Sequence, residues 1–391
     1  MTLAETIIRK CERSSRDWKK GESGNRTYYI QQEDYDAIGR KALFEEVETL
    51  KREGILTEVR WYQTGIELEW VRYSLSALPK LYERAGIEPK GKRLEEARAF
   101  FQQVFRGIHS PWLLKYGQEL FARIEEGKMP KEMGQEEWFD LLRRVDQLRE
   151  PTYKRIFSNG CFRDSKRFER QYQKRLVQLA RKYWDVIEDE MSDTEVLSEL
   201  NLESYSQELC FKGNLRLILN GTELDMGCFR QGSVLNSETL KTIGICGKQS
   251  IKKVITVENK ANYMAMPYEQ GSLILFCHGY FTPLERKFLI RLRQILPEDT
   301  QYLHTGDLDY GGIRIFGWIR KQVFPEVRPF RMDRETFLRF QSYGEPMDDG
   351  KLEKLRQVKE PLLEELKEMI LTTGLAIEQE CFCLEKNGSM C

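Results

Sequence analysis

The chain has 391 residues, 62 basic against 62 acidic side chains and 40% hydrophobic residues. This length calls for two or three domains, and the absence of any apolar run of ~18 residues excludes a protein built of membrane-spanning helices. Nine scattered cysteines, and Glu5 among too few apolar residues for a signal peptide, make a reduced, cytoplasmic protein the expectation.

In chain order, residues 9–26 hold seven basic and three acidic side chains, a candidate contact for DNA phosphates. Leu43, Val47 and Leu50 predict a helix over 39–53, stopped by Gly54. Val59 and Trp61, then Ile66, Leu68 and Trp70, predict a hairpin turning at Gln63, Thr64 and Gly65. With the helical and strand material of 28–40 this is a winged-helix layout. Its 39–53 helix carries four Glu, so protein docking or backbone contact suits it better than groove reading. Residues 76–148 read as amphipathic helices punctuated by Pro79, Pro89, Pro111 and Pro130. Pro151 and the turn expected at Ser158, Asn159 and Gly160 mark a boundary.

Residues 163–182 carry eight basic side chains against two acids, with Phe168, Tyr172, Leu176, Leu179 and Tyr183 at helical spacing. One face should be buried and the other cationic, fit either to meet solvent or to follow phosphates. Leu215 to Leu219 and the Asn220-Gly221 turn predict a short β element joining this region to the next.

Three apolar runs then end at polar residues: 254–258 at Glu258, 273–279 at His278-Gly279, and 302–309 at Gly306-Asp307-Leu308-Asp309, each followed by a helix-like stretch. This order predicts a parallel α/β sheet with Glu258, Asp307 and Asp309 along its carboxyl rim, where ligands bind such sheets. Two like charges ~4 Å apart repel by roughly 1 kcal/mol in water and more near a protein surface. A hard cation such as Mg²⁺ reverses that sign, and carboxylate-only donors point to phosphodiester chemistry. The competing reading is ordinary capping, with Asp309 ahead of a helix and Glu258 favoured by a helix dipole. Gly311 and Gly312 either admit an anion to a helix N-terminus or allow tight helix packing. A helix over 311–323, a fourth strand over 327–333 and helices over 353–358 and 362–371 follow. Glu378-Gln379-Glu380 either adds an acid to the rim or ends the fold in solvent. His278 is a candidate substrate contact, whereas His304 reads as a packed side chain and His109 lies in the helical spacer. Cys381 and Cys383 with Cys391 form a weak candidate for a soft metal.

The series Val257-Glu258-Asn259-Lys260, His278-Gly279 and Gly306-Asp307-Leu308-Asp309-Tyr310-Gly311-Gly312-Ile313-Arg314 resembles the Toprim domain of topoisomerases, primases and nucleases. With residues 162–169 and the ending Ile377-Glu378-Gln379-Glu380, it resembles more narrowly the JetD family. These are nuclease subunits of the Wadjet plasmid-defence system, related to the A subunit of topoisomerase VI and to the meiotic double-strand-break protein. The resemblance implies an α+β multidomain fold. A winged-helix-like N-terminal domain would span 1–75, a helical spacer 76–150, a central basic winged-helix-like DNA-binding domain 151–245, and a Toprim α/β domain with a parallel sheet 246–391.

It further implies a Mg²⁺- or Mn²⁺-dependent DNA endonuclease in which Glu258, Asp307 and Asp309 are the catalytic and metal residues. Lys166, Arg167, Arg170, Lys174, Lys260 and Arg314 would bind double-stranded DNA, the last two competing with a role as ion-pair partners. The expected partners are a second copy of the chain and the SMC, kleisin and accessory condensin-like subunits of the Wadjet system. The topoisomerase relatives attack with a tyrosine. Tyr153, Tyr172 and Tyr183 are the nearest candidates, Tyr172 and Tyr183 fall on the apolar face, and the departure favours hydrolysis. The alternatives are a tyrosine transesterase like the topoisomerase VI A subunit and a non-catalytic DNA-binding scaffold, the latter independent of metal. The sequence has no Gly-x-x-x-x-Gly-Lys-Ser/Thr motif, so any ATP-driven step falls to the partners.

Overall fold

In the computed structural model, which describes residues 1–63 and 65–387, helices and several sheets alternate along the chain. Two compact units result, Met1–Asp146 and Gln147–Cys391. No helix among the described residues is long and apolar enough to cross a membrane.

The first unit opens with the helix Leu3–Arg13, fixed at its start by a reciprocal cap in which Thr2 Oγ1 accepts from Glu5 N and the Glu5 carboxylate accepts from Thr2 N. Leu3, Ile7 and Ile8 are buried with Leu43, Val47 and Leu50 of the helix Arg40–Arg52 and with Val71 and Tyr73 of the sheet. At about 1.5–3 kcal/mol for each large apolar side chain removed from water, this stripe outweighs the nucleation cost of such short helices.

The sheet is antiparallel, with Leu68–Ser74 between Asn25–Tyr29 and Leu56–Trp61. The expected hairpin forms, although Thr64 of its turn lies outside the described residues. Its second strand begins at Leu68 and Ile66 is exposed, so the expected face of 66, 68 and 70 is corrected to Leu68, Val71 and Tyr73. The cause is a bulge. Arg60 pairs with Trp70 and Trp61 with Leu68, which leaves Glu69 as an extra residue and flips the parity of the side chains.

The helices Lys90–Val104, Pro111–Glu125 and Glu136–Asp146 meet around Phe101, Phe105, Tyr116 and Phe139, whose rings lie mainly edge to face. Buried Asp146 accepts the backbone N–H groups of His109 and Ser110 at 2.9 and 2.8 Å.

In the second unit the expected turn at Ser158-Asn159-Gly160 is instead part of the helix Lys154–Phe162. Ser158 is fully buried, donating to Asp164 O and accepting from Phe168 N, and those bonds override the local turn preference. Arg163, at φ 54°, ends the helix. A π-helical turn Phe168–Tyr172 and the helix Gln173–Tyr183 follow, burying Phe168, Leu176 and Val177.

The main sheet has six strands in the order Arg328–Pro329, Gln301–Thr305, Lys253–Val257, Ser272–Phe276, Glu208–Gly213, Ser233–Asn236. The first four are parallel and the last two antiparallel. The three predicted strands therefore form, each starting one residue earlier than expected, while the second and third end at Phe276 and Thr305, three and four residues before the expected limits. Two readings need correction. Part of 205–235 belongs to this sheet rather than joining it, while the hairpin through Asn220-Gly221 pairs Arg216–Leu219 with Thr222–Asp225 beside Gly244–Ile245. The fourth strand shrinks to Arg328–Pro329, an edge position where a proline has no N–H to give.

Candidate functional site

Registry brings the strand ends level. Val257 lies opposite Phe276 on one side and Thr305 on the other, so Glu258, Cys277 and Gly306 emerge side by side at the carboxyl rim. Glu258 N donates to Thr305 O at 3.0 Å, and Cys277 N to Val257 O at 3.0 Å, extending the ladder one residue past the strands. The Glu258 carboxylate then turns to the third strand and accepts Asp307 N at 3.2 Å.

Two glycines make this approach possible. A Cβ on Gly306 would stand 2.2 Å from Glu258 Oε2, and one on Gly312 would stand 2.1 Å from the Asp307 carbonyl oxygen. Any other residue would force the acids or the helix apart. Asp309 is the N-cap of the helix Tyr310–Gln322, its Oδ1 accepting from Gly312 N at 2.7 Å. Asn259, not Glu258, caps the helix Lys260–Ala265, so Glu258 is left facing the other acids.

The C-terminal segment completes the cluster. Leu308 and Ile377 exchange backbone hydrogen bonds at 2.8 and 3.2 Å. Gln379, almost fully buried, donates its N–H to Asp307 Oδ1 at 2.7 Å. Its side chain accepts from Asn259 N and donates to Thr305 Oγ1, both at 2.9 Å, while its carbonyl accepts from Asn262 Nδ2 at 2.8 Å. Thus Glu378 and Glu380 flank a residue bound to both strand ends, and oxygens of Asp307, Glu378 and Glu380 lie within 4.8 Å of one another.

Burial and neighbouring charges disturb the protonation of Glu258, Asp307, Asp309 and Glu378. Burial, then the charges of Asp307 and Asp309, push Glu258 well above its ordinary range. Asp307 is pushed up to about 7, first by burial; the Gln379 amide opposes the shift, and Glu378, Asp309 and Glu380 reinforce it. Burial also raises Asp309, against the Gly312 amide and Lys351, and raises Glu378, with Asp309 adding to it. An all-oxygen donor set whose charged form is held back by burial and mutual repulsion fits a hard dication, which would reverse the unfavourable term. Glu258, Asp307 and Asp309, with Glu378 and Glu380, are the residues that would hold it.

The acids lie in a recognisable stretch of chain. Residues 217–386 match the family model described as Wadjet protein JetD, C-terminal. That region is similar to the C-terminal part of JetD. Over 362 residues the chain is 27% identical to the Wadjet protein JetD of Bacillus cereus (strain Q1), an alignment covering 89% of this chain and 87% of that protein. The likeness to JetD therefore extends beyond the C-terminal region, and every acid of the cluster lies inside the JetD match.

The remaining candidates divide. Lys166 and Lys174 are exposed on the basic segment. Arg170 pairs with Asp164 at 2.5 Å, and Arg167 lies over the Phe162 ring while donating to Gln171. Lys260 reaches back over the rings of Phe276 and Tyr263 with its ammonium 3.1 Å from Cys210 Sγ. Arg314 is paired with Glu188.

His304 is fully buried, donating Nδ1–H to Thr256 Oγ1 at 2.8 Å because that hydroxyl gives its own proton to Leu303 O. Burial lowers its pKa to about 3, so it stays neutral. His278 sits 3.2 Å from buried Glu285. Burial works against its charged form, yet the Glu285 bond and charge raise its pKa overall. Tyr172 stacks on Phe162 at 5.1 Å, and Tyr183 lies beneath Lys182. Cys381 is half-buried beside the acids, which raise its thiol after burial does, and Cys391 lies outside the described residues.

Gln379 was not singled out by sequence reasoning. Its only linear signal was a single amide between two acids, and its partners are 72 to 120 residues away.

Proposed function

We propose that this chain is a divalent-cation-dependent endonuclease of double-stranded DNA, working within the Wadjet defence system as its nuclease subunit. The likeness to JetD supports the place in Wadjet. The observation that carries the chemistry is the convergence of Glu258, Asp307, Asp309, Glu378 and Glu380 on one rim, with the carboxyls of the strand ends raised in pKa by burial and repulsion.

Mg²⁺ or Mn²⁺ bound there would supply charge neutralisation at a scissile phosphate and a polarised oxygen nucleophile. The chain's own part is to position and charge the donors. Asp307 is oriented by the Gln379 amide, Asp309 by the Gly312 amide, and Glu258 by Asp307 N, so that each keeps an oxygen for a ligand. Raised carboxyl pKa values mean that occupancy expels protons, and affinity for the cation should climb with pH through neutrality. Exposed Lys166 and Lys174 suit contact with phosphates that positions a duplex without reading its sequence. Water is the favoured nucleophile. Tyr172 is stacked on Phe162 and Tyr183 lies beneath Lys182, which supports water over either phenol.

A homodimer carrying two such sites would cut both strands. SMC, kleisin and accessory subunits would select the DNA, in the cytoplasm. The deciding experiment is incubation of supercoiled plasmid with the purified chain and Mg²⁺ or Mn²⁺, alone and with its partner subunits. Cleavage should vanish with Asp307→Ala, with Glu258→Ala and under chelation. Cutting that survives both substitutions would remove the acid cluster from the reaction. A protein–DNA adduct trapped by denaturant would replace hydrolysis by tyrosine transesterification.

A further inference from the structure

Immediately after the basic segment, residues 185–199 contain seven acidic side chains and no basic one. This stretch is bound along the helices and turns beside the carboxylate rim. Glu188 pairs with Arg314, Asp189 Oδ2 lies 3.1 Å from Lys354 Nζ, and Glu190 Oε2 lies 3.7 Å from Lys351 Nζ. Further on, Glu195 Oε1 accepts Tyr280 N at 3.2 Å in the turn after the second parallel strand, and Glu199 pairs with Arg286.

Arg314 is in the second turn of the helix capped by Asp309, and Lys351 and Lys354 are on the helix Asp349–Gln357. Lys354 Nζ lies 6.0 Å from the centre of the Tyr310 ring, directly after the Asp309 cap, which puts the paired charges next to the acid cluster. A cluster of five carboxylates repels a polyanion, so a phosphodiester can approach only where cations stand alongside. The row Arg314, Lys351, Lys354 offers them, and each is covered by an acid of the chain itself.

We propose that Glu188, Asp189 and Glu190 stand in for nucleic-acid phosphates on this cation row, and that a DNA duplex entering the acid cluster displaces them. The inference rests on the reading that duplex DNA is the substrate. The two ends of the acidic stretch differ in how firmly they are held. Glu199 and Arg286 are nearly buried, Met191 is buried, and Arg181 donates to Met191 O, so that end is an anchor. The Asp189–Lys354 pair is more than half exposed on both sides, and such pairs are weak enough for a phosphate to replace. Release lifts residues 185–190 off the cation row, while the stretch from Met191 to Glu199 stays anchored.

The test uses the full chain with a short fluorescein-labelled duplex in Ca²⁺ buffer, followed by fluorescence anisotropy across a salt series. The variant Glu188→Gln/Asp189→Asn/Glu190→Gln should bind about tenfold tighter at low salt, and its slope of log K against log salt should steepen by up to ~0.9 for each freed cation. Adding Lys351→Ala and Lys354→Ala should abolish the gain. A control with the same net charge, Glu223→Gln/Glu238→Gln/Glu326→Gln, should show no comparable gain. An equal gain in that control, or unchanged affinity and slope in the first variant, overturns the proposal.

Hydrogen exchange on the unaltered chain gives a second readout that needs no substitution. Duplex should raise exchange over 185–190 while slowing it in Asp349–Gln357, and continued protection of 185–190 on the bound duplex also overturns the idea. Absence of duplex binding by every form would instead sink the DNA-substrate reading. Metal-dependent cleavage alongside an inert acidic triplet would leave that reading standing and remove only the displacement.

Discussion

Glu258 and the Asp307 backbone meet because Gly306 has no side chain: a Cβ there would lie 2.2 Å from Glu258 Oε2 and 3.2 Å from His304 Nε2. Gly306→Ala should therefore destabilise the fold by about 1–3 kcal/mol, as overpacking does, measured by denaturant melts. Cleavage should fall about a hundredfold if the carboxylate is pushed off by an ångström. Asp307 gives a second expectation with a definite sign. Its folded pKa, about 7, exceeds the ordinary 3.8. The folded chain thus holds a proton that the unfolded chain has released between about pH 4 and 7. That stabilising contribution is complete below the unfolded value and lost as pH rises through the folded one. The melting temperature of metal-free protein should fall over this window, Asp307→Asn should flatten the fall, and Mg²⁺ should raise the melting temperature most at the alkaline end. A metal-free melting curve indifferent to Asp307→Asn would mean that this carboxyl does not carry the shift.

The next scale is that of strands and straps. The parallel strands were legible because buried strands of such a sheet read as continuous apolar runs, and the acids at their ends were legible because the runs stop there. The bulge at Glu69 was not, since nothing local distinguishes an extra residue in a hairpin from a regular one. Nor was the helical state of Ser158-Asn159-Gly160, which depends on the buried Ser158 hydroxyl reaching Asp164 and Phe168. The segment through Gln379 acts as a strap across the rim. Gln379→Ala leaves Asn259 N and Thr305 Oγ1 without their partner, at about 1–3 kcal/mol for each group that stays buried. It should also loosen Glu378 and Glu380, weakening Mn²⁺ affinity by about tenfold in calorimetric titration. Unchanged affinity would show that the strap is structural only.

For the molecule as a whole, the unit boundary at Asp146/Gln147 precedes exposed Arg149, so brief trypsin treatment should cut there first. The larger fragment should keep the Mg²⁺-induced rise in melting temperature, because all five acids lie within it. Loss of that response would assign part of the centre to the first unit. The sequence by itself determined the mixed α+β class, the order of the parallel strands' apolar runs and the candidacy of Glu258, Asp307 and Asp309. Those features depend on periodicity and on residues a few positions apart. Only the tertiary structure decided that Glu378 and Glu380 join Asp307, that Gln379 fixes them there, and that Arg314, Lys351 and Lys354 are covered by the acids of 188–190. Each of these is a contact across many tens of residues, made where separate segments converge on one sheet edge, and no local pattern encodes which charge meets which.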